Sequence, residues 1–120
     1  AFAPDHGATL YSLGLLETRS KSSDKALEYL GRAAELETAG WHYRYVYAIA
    51  LHDLGEPRKA IAQLKELLET QAGNEEVLLA LTNYNLQLGQ REQAKRFALR
   101  LLEIDPRSGG YRQLYQNTLN

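Results

Sequence analysis

Cysteine is absent from this sequence, and so is methionine. Without cysteine there is no disulfide, no haem-attachment motif and no thiolate metal site. Its absence does not separate cytoplasm from periplasm. No apolar run approaches the length of a membrane span, and no signal-peptide pattern is present. Charge of one sign is also missing: 14 Lys and Arg stand against 15 Asp and Glu, a net charge of −1. That balance predicts no general attraction to nucleic acid or to anionic membranes. The balance is uneven along the chain. Residues 91–120 hold six basic and three acidic side chains, so this segment is +3 and the remainder −4. With 120 residues, 44% of them hydrophobic and 24% charged, the chain is long enough for one continuous apolar core. It begins at Ala1 without Met, which leads to the expectation of a segment from a longer protein.

What is present is a period. Ala26, Ala60 and Ala94 lie 34 residues apart. Leu13, Tyr47, Leu81 and Tyr115 keep the same spacing, as do Ala33, Leu67 and Leu101, with Ala34, Leu68 and Leu102 beside them. Gly55 and Gly89 recur in step, each after a leucine. Five series in one register mark an internal repeat. The repeats run over 7–40, 41–74 and 75–108, with a partial fourth over 109–120 and a lead-in over 1–6.

Each repeat holds two stretches of helical apolar spacing separated by a short break. The expected helices are 7–20, 24–37, 41–54, 57–70, 75–88, 91–104 and 109–119. Gly55 and Gly89 suit left-handed helix ends, Pro57 suits a first turn, and Ser23 and Asn74 suit N-caps. Asp105-Pro106 ends the last full pair, because a residue before proline is pushed out of the helical region. No segment alternates as a strand does. The fold class is all-α: seven helices, three antiparallel hairpins and a C-terminal capping helix.

These residues resemble the tetratricopeptide repeat, a family with 34 residues per repeat and a sparse signature. The first repeat offers Leu10, Leu13-Gly14, Ala26, Leu30 and Ala33; the third offers Leu78, Leu81, Ala94, Leu101 and Asp105-Pro106. The resemblance implies an α-solenoid. It places Ala26, Ala60 and Ala94 where the second helix of a hairpin crosses the first closely. Departures are plain. The eighth position keeps glycine only at Gly14 and becomes Ala48, Thr82 and Gln116. The aromatic eleventh position becomes Glu17, Leu51, Asn85 and Leu119. The fourth unit repeats the second: Tyr111-Arg112, Tyr115 and Leu119 match Tyr43-Arg44, Tyr47 and Leu51. Its other positions are polar, as a cap with one wet side requires. Phe2 and Pro4 fall where a preceding repeat would carry its thirtieth and thirty-second residues. More loosely, residues 4–37 look like repeat segments that follow multihaem cytochrome domains in some bacterial proteins, which suggests a bacterial context.

In this family the first helix of each hairpin lines a concave groove that takes peptides. The resemblance implies groove positions at Tyr11 and Leu15, then His42, Tyr45, Ile49 and His52, then Leu79, Asn83, Leu86 and Gln87. Asp53, Glu76, Gln113 and Asn117 fall at the same positions. The competing reading of Tyr45, Ile49 and Leu79 is partial core between helices. Some relatives clamp the acidic tail of a chaperone with basic residues. The corresponding positions here are Tyr11, Leu15, Val46, Glu76 and Ala80, so no basic clamp is expected. Trp41, Tyr43, Tyr45 and Tyr47 cannot share one helical face, since neighbours two apart point in different directions. Tyr47 reads as core and Tyr45 as contact surface.

His6, His42 and His52 do not form a chelate: the last two are about 15 Å apart along one helix. No catalytic triad, phosphate loop or acid pair emerges, so neither an enzyme nor a cofactor is expected. The basic run Arg91, Lys95, Arg96 and Arg100 reads as a solvated face laced with Glu92 and Glu103. The leading expectation is a scaffold that binds a peptide or partner protein. The alternative is a structural arm that packs on a neighbouring domain or self-associates, through its open N-terminal end or its groove.

Overall fold

A computed structural model describes residues 23–35 and 40–119. Six helices fall among them: α1 (Ser23–Glu35), α2 (Trp41–Asp53), α3 (Pro57–Leu68), α4 (Glu75–Gln87), α5 (Arg91–Ile104) and α6 (Gly109–Leu119). No strand occurs among the described residues. The expected helix over 7–20, the lead-in over 1–6 and the caps and side chains of Ser23 and Ala26 lie outside what is described. The chain divides into two compact units, Ala1–Gln63 and Leu64–Asn120.

In the first unit α1 packs on α2. Leu30 and Ala33 on α1 and Ala48 and Leu51 on α2 are buried. Tyr47 is half-buried, with its ring over Gly31 of α1. A Cβ added at Gly31 would stand 3.4 Å from that ring, tighter than side chains usually pack. The tyrosine expected in the core is therefore core on one side only. Arg44 Nη1 donates to Gln63 Oε1 at 2.8 Å, which joins α2 to α3.

Both inner hairpin turns close by one device. After α2, Gly55 N–H donates to His52 O and Glu56 N–H to Leu51 O. After α4, Gly89 N–H donates to Leu86 O and Gln90 N–H to Asn85 O. This pair of bonds is the Schellman motif, which satisfies two carbonyls that a helix end leaves open. It needs a left-handed residue, and the glycines supply it with φ of +90° and +75°.

The second unit packs α4 on α5 and α5 on α6. Asn74 starts α4: its Oδ1 accepts from Val77 N–H at 3.1 Å. Glu75 and Glu76 follow in the first turn, where negative charge complements the helix dipole. Leu78, Leu81, Ala94, Ala98 and Leu101 are fully buried. Ser108 Oγ accepts from Tyr111 N–H at 3.1 Å and caps α6. Thr118 is the one buried residue of α6 and Leu119 is 48% exposed, so the helix is wet on one side.

Tyr111 Oη donates to Glu75 Oε1 at 2.5 Å and ties α6 to the start of α4. That hydrogen bond, with lesser help from burial and nearby negative charge, pushes the phenol from 10.0 up to about 12. The raised value means that the folded state favours the neutral phenol. Its stabilisation is complete below pH 10.0 and lost as pH rises towards about 12. The difference in thermal midpoint between wild type and Tyr111→Phe is expected to shrink across that window. Separately, Ala94→Leu is expected to lower the stability measured in urea by about 2 kcal/mol, because the buried site has no room for three more carbons.

Candidate peptide-contact faces

The twelve described groove positions fall on α2, α4 and α6. In the first unit, α2 carries His42, Tyr45, Ile49 and His52. His42 is exposed and the other three are half-buried. Trp41 stacks on His42 with ring centroids 3.8 Å apart, and meets Tyr45 edge-on at 5.7 Å. These three rings form a small aromatic platform at the start of α2, with the geometry that ring quadrupoles prefer for the Trp41–Tyr45 pair. His52 Nδ1 lies 3.5 Å from Asp53 Oδ1.

In the second unit, α4 carries Leu79, Asn83, Leu86 and Gln87. Leu79 and Leu86 are half-buried, whereas Asn83 and Gln87 are exposed. The opposite side of α4 is buried: Val77, Leu78, Leu81, Thr82, Tyr84 and Asn85. An amide such as Asn83 presents two N–H donors and a carbonyl acceptor to whatever approaches. On α6, Gln113 Nε2 donates to Asn117 Oδ1 at 3.1 Å, so the two groove positions of the cap bond to each other. Tyr11 and Leu15 lie outside the described residues. Half-burial of Tyr45, Ile49 and Leu79 fits both partial packing and a contact face.

Sequence reasoning missed two polar positions of α4. Thr82 is fully buried where the family signature has glycine, and its hydroxyl donates back to Leu78 O at 2.8 Å. Asn85 is 1% exposed; its Nδ2 donates to Leu81 O at 2.7 Å, while Oδ1 has no hydrogen-bond partner among the described residues. The signal for both was their place in the repeat, beside Ala48 and Leu51. Also missed was a shallow depression of 670 Å³ in the second unit, lined from the end of α3, the 69–73 turn and α5. None of the groove positions lines it. No group of metal-ligating side chains occurs among the described residues. No described helix is long and apolar enough to cross a membrane.

The tetratricopeptide repeat family model matches residues 51–117, and the chain belongs to that family. No curated protein matches it. Among solved structures, PcrH from Pseudomonas aeruginosa is 15% identical with a TM-score of 0.73, over 98% of this chain and 89% of that one. The Arabidopsis OM64 repeat domain is 16% identical with a TM-score of 0.74, over 93% of each chain. The first repeat domain of Spaghetti (RPAP3), bound to the HSP90 peptide SRMEEVD, is 14% identical with a TM-score of 0.76, over 93% and 89%. At such identities the likeness is one of fold.

Adjacent leucines separate the two sides of α4. Leu78→Ala, at a site with no exposure, is expected to lose about 3 kcal/mol in urea unfolding. Leu79→Ala is expected to lose only about 1 kcal/mol, in line with its partial burial.

Proposed function

We propose that this chain is a protein-binding scaffold that holds a peptide or partner segment on the first-helix faces of its hairpins. The observation that carries this reading is that none of the twelve described groove positions is buried. They include Ile49, Leu79 and Leu86, aliphatic side chains that keep part of their surface in water, and the Trp41–His42–Tyr45 platform. Aromatic and aliphatic anchors on α2, and aliphatic anchors with an open amide on α4, each suit a segment with apolar side chains and an accessible backbone. Such a role needs no catalytic group and no cofactor.

The Spaghetti structure holds an acidic HSP90 peptide. At the positions where a basic clamp would stand, this chain has half-buried Val46, exposed Glu76 and buried Ala80, with Tyr11 and Leu15 outside the described residues. A carboxylate at Glu76 repels an acidic tail. The ligand class we favour is therefore apolar rather than acidic.

Selection of peptides from a displayed library against the whole chain, followed by calorimetry, tests the reading. Tyr45→Ala and, separately, Asn83→Ala are each expected to weaken the selected peptide roughly tenfold. SRMEEVD is expected to give no binding heat. Wild-type affinity in both variants would sink the assignment of these faces.

A further inference from the structure

The depression in the second unit has an apolar floor of Leu68, Phe97 and Ile104. Phe97 is nearly covered at 7% exposure, while Ile104 stands out at 43%. The Arg100 guanidinium lies over the Phe97 ring, 6.0 Å from its centroid. Four charged side chains edge the floor: Lys65, Glu69, Arg100 and Glu103. Among the described residues none of the four has an ion-pair partner.

We propose that this patch is a contact between two copies of the chain related by a two-fold axis. A two-fold contact uses the same patch twice, so the patch must complement itself. This one does so in charge. Lys65 precedes Glu69 by four residues, and Arg100 precedes Glu103 by three. A two-fold axis across such a strip reverses its order in the second copy, which brings each cation opposite a carboxylate. Charge pairing of this kind fixes register and rejects other partners. With a net charge of −1, the two copies repel each other little as they approach. None of the groove positions on α2 and α4 lines this patch.

Sedimentation equilibrium of the whole chain over a range of concentrations tests the pairing. Wild type is expected to rise from monomer mass towards twice that mass. Arg100→Glu places like charges together and is expected to raise the dissociation constant at least tenfold or so. Adding Glu103→Arg restores opposite charges across the axis and is expected to recover the wild-type constant to within about threefold. Circular dichroism checks that each variant keeps its helices, and a library-selected peptide is expected to bind Arg100→Glu as it binds wild type. The proposal is overturned by a monomer at every concentration, by equal constants for wild type and Arg100→Glu, or by a double variant as weak as the single one.

Discussion

Two helices can lie close only where their side chains leave room, and in this chain alanine leaves it. Ala60 and Ala94 have no exposure at all, at the same place in successive repeats. Interaxial distances of about 8–10 Å depend on what stands at the crossing. The larger side chains near these alanines are buried as well: Ile61 and Leu64 by Ala60, Phe97 and Leu101 by Ala94. Thr82 shows how far the rule bends. It fills a position that Ala48 holds in the first unit, and it fits because its hydroxyl turns back onto its own helix rather than out towards a neighbour.

Much of this architecture was legible in the residues, because repetition multiplies weak signals. One glycine after a leucine says little; Gly55 and Gly89 in register place two turns, and both adopt the left-handed backbone that the position requires. Asn74 and Asp105-Pro106 likewise sit where helix ends were expected. The cap at Ser108 was missed although the helix over 109–119 was expected, since a serine before two glycines reads as loop. Asn85 was visible only as a departure from the family pattern. That its carbonyl oxygen is shut away from water depends on how α4 sits in its unit. The depression was beyond reach for a similar reason: Leu68 and Ile104 are 36 positions apart, and a period says nothing about what neighbouring elements leave unfilled.

The helices thus present two kinds of surface with different chemistry. The faces of α2 and α4 carry stacked rings, aliphatic side chains and amides, with little charge. The patch on α5 and the end of α3 carries four charges around an apolar floor. A repeat protein can keep such surfaces separate because each helix buries one stripe and leaves the rest to vary. Belonging to the tetratricopeptide repeat family explains the buried stripes.

The hydrogen bond from Tyr111 to Glu75 closes a loop of about one repeat. Closing a loop of that size is entropically modest, and the penalty grows only with the logarithm of length. The bond is also exposed, so water can replace it readily. The last helix is in consequence held in its unit chiefly by its packing on α5 and by buried Thr118, and the exposed bond adds direction more than strength.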